Sequence, residues 1–135
     1  MTYTYTLPRS GCRPLRFTGS LLTSGDTQAD NGPGNTRWWS VAVYRTDADR
    51  YILALNWHTR WQGEISSQTA EIYDALEAVA DALEAHDPLC RLIGFPVSGN
   101  GKYAARQRHI ETVLRQAWAE LVGDVLGELG VEERL

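Results

Sequence analysis

The runs R-W-W-S-V-A-V-Y-R-T, Arg37 to Thr46, and R-Y-I-L-A-L-N-W-H, Arg50 to His58, stand only Asp47-Ala48-Asp49 apart. Both are rich in β-branched and aromatic residues, and two such runs joined by a short polar turn form an antiparallel hairpin. Along the first run Trp39, Val41 and Val43 point one way, while Trp38, Ser40, Ala42 and Tyr44 point the other. One of two adjacent tryptophans therefore turns away from its neighbour. Tyr51, Leu53, Leu55 and Trp57 share a face of the second run, and Trp61 follows at its end.

Upstream of the hairpin the chain also reads as strand. T-Y-T-Y-T-L alternates strictly, with Tyr3, Tyr5 and Leu7 on one face until Pro8, and Leu15 to Thr23 is a second extended run. Ser24 to Thr36 consists of turn formers and reads as a long loop. Downstream the period changes. From Ser67 to His86, Ile72, Leu76, Val79, Ala80 and Leu83 recur at helical spacing, and Asp87-Pro88 ends the run. A second helix, about Tyr103 to Leu129, carries a stripe from Ile110 through Val113, Leu114, Ala117, Trp118, Leu121, Val122, Val125 and Leu126. Between the helices, Leu89 to Phe95 is either a short strand or a buried connection.

Strands first and helices after predict one α+β domain over residues 1–135. The expected architecture is an antiparallel sheet of three to four strands with two C-terminal helices packed on one face. The stripe on the last helix, roughly 40 Å long, is wider than one sheet face requires, and a homodimer through it is expected.

Composition places the chain among globular proteins, with 43% hydrophobic and 22% charged residues. There is no run of 18 apolar residues and no basic, apolar leader at the N-terminus, so a cytoplasmic location is expected. Cys12 and Cys90 are read as reduced thiols, since a chain of 135 residues needs no staple. The net charge of −4 is unevenly spread, at +2 over residues 1–65 and −6 over residues 66–135.

The glycine-rich stretch G-F-P-V-S-G-N-G-K-Y, Gly94 to Tyr103, invites comparison with a phosphate-binding loop. In G-x-x-x-x-G-K-[ST] a lysine follows the second glycine, but Asn100 stands there, and Tyr103 follows Gly101-Lys102 where a hydroxyl for magnesium is needed. What remains is a weak anion site at the helix start, built from Gly99, Asn100, Gly101, Lys102 and Arg106, with Ser98 or Asn100 as the cap. His58, His86 and His109 are spread without metal-ligand spacing and no G-x-S-x-G elbow is present, so no metal site, cofactor or catalytic residue is assigned.

Two surfaces point instead to a macromolecular partner. Glu71, Asp74, Glu77, Asp81 and Glu84, continued by Asp87, form an acidic ridge with no basic residue, complementary to a basic protein surface such as a nucleic-acid-binding complex. Trp38, Tyr44, Trp57 and Trp61, beside Arg37, Arg45 and Arg60, are expected to form an aromatic and arginine patch of the kind found at binding hot spots. Overall acidity argues against direct contact with nucleic acid.

The pattern R-W-x5-Y-R-T-x4-Y, Arg37 to Tyr51, resembles a strand pair of small uncharacterised proteins encoded on phages and plasmids, over 15 of the 135 residues. That resemblance implies a small accessory inhibitor of the anti-defence, anti-CRISPR or immunity type, with no catalytic residues. The expected function is thus a non-enzymatic protein that occupies a partner protein. The alternative is a small-ligand-binding domain or small enzyme using a pocket between sheet and helices and the anion site at the start of the last helix.

Overall fold

The computed structural model describes residues 2–27, 37–60, 63–92 and 101–132; for Lys102 and Tyr103 it describes the backbone only. Five strands come first: β1 (Tyr3–Arg9), β2 (Cys12–Asp26), β3 (Arg37–Thr46), β4 (Tyr51–Thr59) and β5 (Ser67–Tyr73). They are followed by α1 (Leu76–Ala85) and α2 (Lys102–Leu129). The strands form one antiparallel sheet in chain order, β1-β2-β3-β4-β5. This is an α+β fold with one strand more than the sequence suggests.

The extra strand is β5, which falls inside the segment read as helix from Ser67. Helical spacing does hold from Leu76 onward, where Val79, Ala80 and Leu83 are buried. Before it, Ala70 and Ile72 alternate, and they lie opposite Ala54 and Ile52 of β4. A free edge of β4 offers seven residues a ladder of backbone hydrogen bonds, which outweighs local helical periodicity.

β2 is long because it serves two neighbours. Its first half pairs with β1 and its second half with β3, with a bulge between Leu21 and Thr23. Gly19 is the point of exchange, facing both Tyr3 and Thr46. A Cβ there would stand 2.1 Å from the Arg45 carbonyl oxygen, so only glycine allows the strands this close. The sheet curls until the turn after β1 reaches β5. Ser10 N donates to Gln68 O at 2.7 Å, and Gln68 N donates to Ser10 Oγ at 2.8 Å.

The curled sheet has two differently filled faces. Both helices cover the outer face, where Trp39, Val41, Val43, Leu53 and Trp57 pack against Val79 and Leu83 of α1 and Leu114, Trp118, Leu121 and Val125 of α2. The inner face holds Tyr44, Ile52, Ala54 and Ala70, covered by Tyr5, Leu7, Leu15 and Phe17 from β1 and β2. The chain thus folds its own N-terminal hairpin over the side the helices do not reach.

α2 is about 42 Å long at 1.5 Å per residue. It ends at Gly130 in the left-handed conformation, φ 74°, with Gly130 N and Val131 N closing back on Gly127 O and Leu126 O. Its apolar stripe is taken up within the chain. Ala117, Leu121, Val122 and Val125 are buried, Ile110, Val113, Leu126 and Leu129 are half-buried, and none belongs to the exposed large apolar residues of the described chain.

Candidate functional site

Strand register places the inner face in rows that cross the sheet. Ser24, Ala42, Ala54 and Ala70 are successive cross-strand partners, and so are Asp26, Ser40, Asn56 and Gln68. Beyond them Trp38 faces His58. The inner face therefore passes from apolar, at Tyr44 and Ile52, through a row of small side chains to a row that is wholly polar. It ends in an aromatic pair.

That pair is built tightly. The Trp38 and His58 rings stack with centroids 5.0 Å apart and 11° between planes, and the Arg60 guanidinium carbon lies 5.3 Å from the Trp38 ring centre. Ser40 Oγ is 2.8 Å from His58 Nε2. Burial holds the His58 pKa below the ordinary histidine value, against an opposing pull from the Asp26 carboxylate. A neutral imidazole accepting from the Ser40 hydroxyl fits this geometry. Sequence reasoning treats His58 as isolated, because Ser40 lies 18 positions away and only strand pairing joins them.

The aromatic patch expected from the sequence separates into different environments. Trp38 and Arg60 stay together, but Trp57 is 0% exposed and packs on the opposite face, against Trp39 at 5.1 Å between centroids. Tyr44 shares the face of Trp38 but is buried between Tyr5 and Phe17, at 4.8 and 5.2 Å. Burial, then the neighbouring Tyr5, raises its pKa. Arg37 is buried in an ion pair with Glu64 at 2.9 Å, and Arg45 pairs with Asp49 in the β3–β4 turn at 2.6 Å. Trp61 lies outside the described residues. Trp57 joins the Trp39 face because the β3–β4 register pairs the two, and Tyr44 is covered by the N-terminal hairpin; neither partner is adjacent in the chain.

The acidic residues hold together better, although not on one helix. Glu71 is on β5, Asp74 sits at the joint, and Glu77, Asp81 and Glu84 lie on α1 at steps of four and three, away from buried Val79, Ala80 and Leu83. All five are exposed. Asp74 pairs with Arg50 at 2.9 Å; Glu77, Asp81 and Glu84 have no ion-pair partner among the described residues. This ridge lies on the outer side of the sheet and Trp38 on the inner side, so one flat interface cannot engage both.

The proposed anion site at the start of α2 falls mostly outside the described residues, which exclude Gly99 and Asn100. Gly101 is the N-cap, with φ 138°, and among the described residues no side chain caps the helix; Ser98, like Asn100, lies outside them. Arg106 is exposed on the second turn. Among the described residues no three histidine, cysteine or acidic side chains are grouped to hold a metal ion, and no helix is long and apolar enough to cross a membrane. Cys12 and Cys90 are both exposed and unbonded.

No family model, curated protein or solved structure matches the chain.

Proposed function

We propose that the chain is a non-enzymatic binding protein that occupies a partner protein with a basic surface, as a small inhibitor of the anti-defence or immunity type acting in the cytoplasm. The observation that supports this reading is the outer side of α1. Glu77, Asp81 and Glu84 are exposed in one stripe, with Glu71 and Asp74 beside them and no basic residue from Glu71 to Ala85. Like charges three and four residues apart destabilise a helix by a few tenths of a kcal/mol per pair, and surface helices ordinarily intersperse cations. A stripe left wholly acidic suits a complementary basic groove, which steers association and sets its register.

The test is retention from a bacterial lysate by the immobilised protein. Wild type should retain a basic protein or nucleoprotein complex that elutes as salt rises, since exposed charge contacts are screened. The Glu77→Lys, Asp81→Lys, Glu84→Lys variant should fold and retain nothing. Equal retention by both proteins would dismiss the acidic face as the contact. Self-association through α2 has lost the apolar surplus that motivated it, and we assign a monomer. Light scattering should give a mass near 15.1 kDa, against twice that for a dimer.

A further inference from the structure

The inner face of the curled sheet is not filled at the end near the β3–β4 turn. A hollow of about 340 Å³ opens there between the first half of β2, the turn and the β4–β5 pair. Its floor is apolar: Leu15 and Phe17 from β2, Ile52 from β4 and Ile72 from β5. Ile72 is 40% exposed, whereas its cross-strand partner Ile52 is buried, so the hollow leaves apolar surface uncovered at its mouth. Open ends of curled and barrel-like sheets are recurrent sites for small ligands, and this volume sits at the small end of the usual range.

Two opposite charges stand at the rim, Arg16 and Asp47. Asp47 N donates to Thr18 O at 2.9 Å, which fixes the turn two residues along β2 from Arg16. Neither side chain has an ion-pair or hydrogen-bond partner among the described residues, and they do not pair with each other. The third rim charge, Arg50, is already paired with Asp74. A guanidinium left without an anion and a carboxylate left without a cation, over an apolar floor, complement a molecule carrying one of each beside an apolar group.

We propose that this hollow binds a small apolar zwitterion, a free α-amino acid with a branched or aromatic side chain. The ligand carboxylate meets Arg16, its ammonium meets Asp47, and its side chain lies on Ile52 and Ile72. The charge contacts supply selectivity and the floor supplies most of the burial.

Titration of the full chain with L-leucine and L-phenylalanine, followed by amide and isoleucine methyl NMR, tests this. Saturable shifts are expected at residues 15–18, 46–52 and 72. Leucinamide, which lacks the carboxylate, and 4-methylpentanoate, which lacks the ammonium, should each bind about tenfold more weakly or worse, as should leucine to Arg16→Ala or Asp47→Ala. Ile72→Trp, which fills the hollow at an exposed position, should abolish the shifts. Three results overturn the proposal: no saturable shift with either amino acid, equal binding of leucine and both half-charged analogues, or shifts that persist in Ile72→Trp.

Discussion

Arg37 at the start of β3 and Glu64, in the segment leading to β5, form an ion pair at 2.9 Å in which the carboxylate side chain is only 1% exposed. Glu64 also accepts from Thr59 Oγ1 at 2.9 Å, so both carboxylate oxygens are engaged and the end of β4 is held to the same group. A buried pair of this kind makes a weak net contribution while intact but is costly to break, because the remaining charge stays out of water.

Glu64→Ala is therefore expected to lower unfolding stability by about 3 to 5 kcal/mol in urea titration, which is large for a site outside the apolar core. The double replacement Arg37→Met, Glu64→Leu should recover most of that loss. Equal loss in the single and double variants would mean that the pair acts through packing rather than charge.

His86 closes α1 and sits between Trp39 and Trp118, at 4.4 and 4.9 Å between ring centres, with Nε2 buried and without a hydrogen-bond partner among the described residues. Burial holds its pKa below the ordinary histidine value, with Asp87 opposing and Arg91 assisting. The unfolded chain then binds this proton more tightly than the folded one. The associated stability is complete above the unfolded value of about 6.5 and is lost as pH falls through the lower folded value. His58, also depressed, contributes in the same direction. The urea midpoint should drop between about pH 7.5 and pH 5.5, and the combined His86→Phe, His58→Gln variant should flatten that drop. An unchanged slope in the variant would assign the dependence to other groups.

Asp81 separates stability from binding. Asp81→Lys would place a cation four residues after Glu77 and three before Glu84, giving two favourable helix pairs and about 0.5 kcal/mol of added stability. The same change should weaken retention of a basic partner. A variant that is more stable and binds as well as wild type would mark the stripe as solvated surface only.

Two glycines should respond in opposite directions to alanine. Gly19→Ala forces a Cβ toward the Arg45 carbonyl oxygen across the bend of β2, where backbone has to shift, and is expected to unfold the chain or lower its melting temperature sharply. Gly123 lies inside α2 with nothing within 4 Å of a Cβ, and Gly123→Ala should stabilise by roughly 0.5 to 1 kcal/mol. Thermal unfolding of the two variants side by side decides both.

The sequence alone determined what is local. Strand alternation in Arg37 to His58, the short turn between the runs, and the 3.6-residue spacing from Leu76 and along α2 are written into neighbouring residues, since backbone geometry converts spacing directly into a face. The α+β class and the exposure of Glu77, Asp81 and Glu84 follow from that alone. Tertiary structure decided whatever depends on partners distant in the chain. Ser67 to Tyr73 became strand because β4 had an open edge, and Trp57 and Tyr44 were buried because α2 and the N-terminal hairpin cover the two faces separately. Arg37 was withdrawn from the surface by Glu64, 27 positions away, and Ser40 met His58 through the β3–β4 register. The hollow beside Ile72 lies where β2 passes from β1 to β3 at Gly19, next to the bulge between Leu21 and Thr23, a placement set by strand pairing rather than by residue periodicity.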